Sequence, residues 1–138
     1  ANIYAGGSSE RILSGLIAAE RDRLVVASKF SMTTDPRDPN AGGNSRRNLR
    51  QSLEATLRRL GTDRLDLYWV HAWDGMTPPD ELLRALDDAV CAGKVLYTGF
   101  SNVPAWVVAR TQTVAELRGW TRFVALQLHY SLVERAVE

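Results

Sequence analysis

The 138 residues predict an α/β fold with parallel strands, a partial (β/α)8 barrel of the TIM type holding about four βα units. Three observations predict it. Short, nearly continuous apolar runs alternate with helical periodicities, which is the pattern of strands buried on both faces of a parallel sheet. No Gly-x-Gly-x-x-Gly loop follows any strand, so the mark of an open dinucleotide-binding sheet is missing. Each of the four strands also closes on a polar, chemically useful residue, as expected where strand ends converge on one mouth.

The elements follow in order. Ala1 to Tyr4 reads as the end of a strand running into a Gly-Gly-Ser-Ser loop. Ser8, Ser9 and Glu10 form a helix entry, and Ile12, Leu13, Leu16 and Ile17 recur at helical spacing to about Glu20. Leu24 to Ser28 is an apolar strand ending on Lys29. Phe30 to Asn44 has neither period and reads as a long loop, a feature usually functional or mobile. Asn44 or Ser45 caps a helix with Leu49, Leu53, Leu57 and Leu60 on one face, and Gly61 ends it. Leu65 to Val70 is the next strand, closing on His71, and its loop carries Trp73 and Asp74. Thr77 or Pro78 opens a helix with Leu82, Leu83, Leu86 and Val90, which Gly93 stops. Val95 to Phe100 is a strand ending on Ser101 and Asn102, Pro104 to about Leu117 a helix, and Phe123 to Leu126 a strand ending on Gln127.

Residues 1–138 are read as one partial barrel domain, cut at both ends: Ala1 is not a methionine, and Glu138 falls as a new segment begins. A targeting segment would lie outside these residues. A whole eight-unit barrel takes roughly 250 residues, so about half of one is expected here, with two open strand edges. A net charge of +1 gives no reason to expect nucleic acid or an acidic membrane surface, and Arg46, Arg47 and Arg50 read as a solvated helix face. No apolar run approaches the roughly 18 to 20 residues that span a bilayer. Cys91 has no partner and reads as a small, buried or half-buried hydrophobe, which fits a reducing, cytoplasmic compartment. No metal is assigned.

The strand ends carry the chemistry. Lys29, closing an apolar strand, is expected to be partly desolvated, a state that needs an anion or a lowered pKa. His71 follows Trp69 and Val70. Either alone reads as a snorkelling lysine or a structural histidine; two titratable groups at the same end of neighbouring strands read as one site. Tyr4, past a presumed strand, joins them.

These residues resemble the aldo-keto reductases. Ala1-Asn2-Ile3-Tyr4 with Ser9-Glu10 resembles the family's catalytic-tyrosine segment, Val26-Ala27-Ser28-Lys29 its lysine strand, and Leu65 to His71 its histidine strand. Gly99-Phe100-Ser101-Asn102 and Gln127 to Leu132 resemble two nicotinamide-binding segments, and Arg46 to Gly61 the helix between the lysine and histidine strands. The resemblance implies reduction of a small-molecule aldehyde or ketone to an alcohol with NADP(H), NAD(H) being the alternative. In it Tyr4 is the proton donor, Lys29 the cation favouring the tyrosinate, and His71 the donor that orients the carbonyl. Ser101, Asn102 and Gln127 would hold the nicotinamide carboxamide. Trp73 and Asp74 would line the substrate pocket, because βα loops form the mouth of a barrel. The resemblance also implies an aspartate five residues before the tyrosine, which would lie ahead of Ala1, so residues 1–138 alone are expected to be inactive.

Two other classes compete. One is a nicotinamide-binding regulatory or channel-associated subunit with little turnover. The other is a barrel aldolase using Lys29 as a Schiff-base amine, for which Tyr4 and nicotinamide would be dispensable. Physiological substrate and oligomeric state are not specified by the sequence.

Overall fold

A computed structural model describes residues 1–138. The chain begins without a strand: Ala1–Ile3 is held to the sheet by one backbone bond, from the Asn2 N–H to the Lys29 C=O at 3.3 Å. Tyr4–Gly7 is then a 3-10 turn in which Ala5, Gly6 and Gly7 take left-handed angles. Gly7 is needed there, since its φ is +83° and a Cβ would come within 2.9 Å of the Arg59 side chain.

Helix α1 (Ser8–Ile17) buries a narrower face than its periodicity predicts. Ile17 is buried and Leu13 packs on the core, but Ile12 and Leu16 are exposed, because α1 lies against α2 (Arg46–Leu60) on one side only. In α2 the expectation holds: Leu49, Leu53, Leu57 and Leu60 are all buried. Ser45, not Asn44, is the cap, accepting from the Asn48 N–H at 3.3 Å, and Gly61 ends the helix with φ +66°.

Strand β1 (Ala27–Phe30) starts later than the apolar run and passes through Lys29. Its ladder with β2 (Leu65–Val70) runs from Ala27↔Leu67 to Phe30↔Val70, and the His71 N–H extends it to the Phe30 C=O at 3.0 Å. Leu24 and Val25 lie ahead of the ladder and stay exposed, while Val26 turns into the core. The remaining elements are α3 (Pro79–Cys91), β3 (Val95–Ser101), α4 (Ala105–Arg118) and β4 (Phe123–Gln127), each within two residues of its predicted bounds. Cys91 is exposed, contrary to the prediction, because it falls just past the α3 stripe of Leu82, Leu83, Leu86 and Ala89 that faces the core.

All pairings are parallel and the strand order is β1-β2-β3-β4. Each crossover moves one place in the same direction, with no reversal. Right-handed crossovers of that kind lay every helix on one face, as in a barrel wall, whereas a doubly wound sheet needs a switch of direction. Phe30, Tyr68, Val70 and Phe100 face the helices and are fully buried with Leu49, Leu82, Leu86 and Val107. Each of the purely apolar side chains among them contributes about 1.5–3 kcal/mol by leaving water. The opposite face carries the row Lys29↔Trp69↔Gly99↔Ala125. Gly99 is required in that row, because a Cβ would meet the Trp69 ring at 2.5 Å. No helix is long and apolar enough to cross a membrane.

Candidate functional site

The carboxyl ends of the four strands and the Tyr4 turn meet in a shallow depression of about 230 Å³. It is lined by Tyr4, Lys29, His71, Ser101, Asn102 and Gln127, together with Leu128 and His129. Residues up to 125 positions apart in sequence thus share one surface (His129 less Tyr4). Larger depressions, about 480 and 770 Å³, flank α2, and neither reaches a strand end. Size alone does not mark this site; convergence of titratable and amide groups does.

Lys29 Nζ lies 3.5 Å from Tyr4 Oη, a long hydrogen bond, and 5.7 Å from the centre of the tyrosine ring. The Tyr4 and His71 rings meet edge to face, 6.0 Å apart and at 89°. Tyr4 is 45% exposed, so its hydroxyl is open to an incoming molecule. Burial, followed by repulsion from the Lys29 ammonium, holds His71 below the ordinary imidazole range. Its Nδ1 is buried and has no hydrogen-bond partner in the protein.

On the other wall, the Asn102 N–H donates to the Gln127 C=O at 3.2 Å, and Asn102 Nδ2 donates to Ser101 Oγ at 3.1 Å. Asn102 has φ +47°, a left-handed angle that asparagine tolerates better than most residues. Ser101 is buried, while Asn102 and Gln127 are exposed. Side-chain amides and a hydroxyl here suit a carboxamide, which both donates and accepts. The residues present therefore fit a nicotinamide.

Trp73 and Asp74 do not reach the depression. Trp73 packs against the core, and Asp74 is engaged by its own loop. Asp74 Oδ1 accepts from the Met76 and Thr77 N–H groups at 3.0 and 2.9 Å, and Oδ2 from the Asn44 N–H and Thr77 Oγ1, both at 2.7 Å. Burial pushes its pKa up, but the bonds from Thr77, Asn44 and Met76 outweigh this and hold it below the usual carboxylate range.

Two features escape sequence reasoning. His129 lines the depression; the resemblance includes it in the Gln127 to Leu132 segment but assigns it no role of its own. Glu10 is 3% exposed and accepts from Ser28 Oγ at 2.5 Å, Thr56 Oγ1 at 3.2 Å and Arg59 Nε at 2.6 Å. Only its place as an acid in the first helical turn was legible.

The model of the family described as "Aldo/keto reductase family" matches residues 1–138. Over 145 aligned positions the chain is 39% identical to a norsolorinic acid reductase of Aspergillus flavus, covering all of this chain and 37% of that protein. It is 37% identical to the aldo-keto reductase AMT2 of Alternaria alternata, again over its whole length and 44% of the relative. With an aryl-alcohol dehydrogenase [NADP(+)] of Phanerodontia chrysosporium it shares 33% identity over all of this chain and 38% of the relative. The chain thus spans about two fifths of the length of these relatives.

Proposed function

The chain belongs to the aldo/keto reductase family, and from that premise we propose that its strand-end depression reduces aldehydes or ketones to alcohols with NADP(H). The observation that carries the reading is the meeting of Tyr4, Lys29 and His71, with Tyr4 Oη 3.5 Å from Lys29 Nζ. NADP is favoured over NAD by the name of the Phanerodontia chrysosporium relative. The name of the aryl-alcohol dehydrogenase relative favours an aromatic carbonyl compound.

Nicotinamide supplies the hydride when bound. Ser101, Asn102 and Gln127 would hold it through the carboxamide. Tyr4 Oη delivers the proton to the carbonyl oxygen. A free phenol, with a pKa near 10, is a weak acid at neutral pH. Lys29 assists because its ammonium stabilises the tyrosinate as the proton leaves, an interaction stronger in the transition state than in the ground state. A neutral His71 orients the carbonyl by donating a hydrogen bond to its oxygen.

The full-length protein carrying residues 1–138 is assayed with NADPH and a panel of aromatic and aliphatic aldehydes, beside Tyr4→Phe. Carbonyl-dependent NADPH oxidation is expected, falling by about 10²–10⁴-fold in the variant, as for the loss of a general acid. Turnover unchanged in Tyr4→Phe removes Tyr4 from the proton step. Tight NADPH binding without turnover of any carbonyl favours the regulatory subunit, and borohydride trapping of substrate on Lys29 the aldolase.

A further inference from the structure

Two loops at the mouth are tied together by a closed set of hydrogen bonds. The first follows β1 and reaches α2; the second follows β2 and reaches α3. Asn44, with no exposed surface, and Asp74 bind each other reciprocally. The Asn44 N–H donates to Asp74 Oδ2 at 2.7 Å, and the Asp74 N–H donates to Asn44 Oδ1 at 2.8 Å. The Asn44 amide then spends both its protons inward, on Ser31 Oγ at 2.8 Å and on the Ala72 C=O at 3.0 Å.

Ser31 is the next link. Its φ is +104°, a strained angle for a residue with a Cβ, and such an angle persists only where its surroundings over-determine it. They do so here. The Gly43 N–H donates to the Ser31 C=O at 2.6 Å, and Ser31 Oγ accepts from both Asn44 Nδ2 and the His71 N–H, the latter at 3.2 Å. Gly43 itself has φ +79°, and a Cβ on it would come within 3.2 Å of Asp74 Oδ2. The backbone amide of His71 is therefore clamped between Phe30 and Ser31, and Ser31 is held in its strained form by Asn44 and Asp74.

We propose that Asp74 and Asn44 are positioning residues: they lock the two mouth loops together and, through Ser31, set the place of the His71 imidazole in the depression. This assignment rests on the reductase reading for its kinetic consequence, but its geometric consequence stands apart from that reading. His71 needs such a device because its side chain has no internal tether, Nδ1 being without a partner. Only its backbone and the surrounding packing fix the ring. Asp74 acts at a distance, since all four of its acceptor bonds stay within the loops.

The test uses the full-length protein carrying residues 1–138, labelled with 15N-histidine, with His71→Gln assigning the His71 ring signals. Two variants are compared with wild type, well below the melting temperature of each. Asp74→Ala removes the acceptor that organises both loops. Ser31→Gly accepts φ +104° without strain and removes the oxygen that accepts from the His71 amide and from Asn44 Nδ2, while leaving Asp74 in place, so it decides the matter if Asp74→Ala does not fold. In both, the His71 ring signals are expected to shift or broaden. The value of kcat is expected to fall about tenfold to a hundredfold, the scale for misplacing a group by about an ångström. The Kd for NADPH stays within about twofold, a split that general destabilisation would not produce. His71 signals that coincide with those of wild type overturn the proposal, whatever happens to kcat. If wild type reduces no carbonyl yet the His71 signals move in the variants, the reductase reading fails and the positioning role stands.

Discussion

At the residue scale, the electrostatics of the depression separate Tyr4, Lys29 and His71, three of its four titratable side chains. Lys29 and Tyr4 are a cation and a phenol in contact, and His71 stands beside them, half-buried. Burial first, and the Lys29 charge second, disfavour the imidazolium. The folded pKa of His71 thus lies below its unfolded value, about 6.5 for a free histidine. The neutral ring contributes stability that is fully present above that pH and is lost as pH falls through the folded value. An NMR titration of His71 is expected to give a midpoint below 6.5; a midpoint at or above it contradicts the burial account. At this scale the sequence named Tyr4, Lys29, His71, Ser101, Asn102 and Gln127, and the fold brings all six together. It could not separate Asp74 from them, because an aspartate after a barrel strand reads the same whether it faces a ligand or braces a loop.

At the scale of elements, the long loop between β1 and α2 and the packing of α1 depend on buried polar groups. Glu10 joins three elements at once, reaching Ser28 on β1 and Thr56 and Arg59 on α2. Removing one member of a buried ion pair leaves the other charge uncompensated, so Glu10→Ala is expected to cost about 3 kcal/mol. Urea denaturation measures it, and a loss below about 1 kcal/mol would show that Arg59 finds water instead. Helix α1 needs this anchor because its apolar face is only half covered, with Ile12 and Leu16 exposed. Periodicity identified α1, α2 and α3, since it reports an amphipathic face directly, whereas α4 is read from its place between two strands. It misplaced the start of β1, where an apolar run and a hydrogen-bonded ladder differ in extent.

At the scale of the whole molecule, β1 and β4 are the edges of the sheet. Val124 and Leu126 on β4 are exposed, as is Tyr97 on β3, while Val25, before β1, is 82% exposed. Unpaired backbone beside exposed apolar side chains is a template for strand addition. Residues 1–138 expressed alone are therefore expected to self-associate with rising concentration in sedimentation velocity runs, and a monomer at all concentrations would refute this. The alternation of strand and helix, the parallel pairing and the identity of the strand-end groups all follow from local pattern, because burial on both faces and helical amphipathicity leave their periods in the sequence. The single direction of winding, the 3.5 Å approach of Tyr4 to Lys29, and the diversion of Asp74 from the mouth into the Asn44–Ser31–His71 chain come from contacts between residues distant in sequence. Hydrogen-bond partners of that kind leave no period to read, so tertiary structure alone decided them.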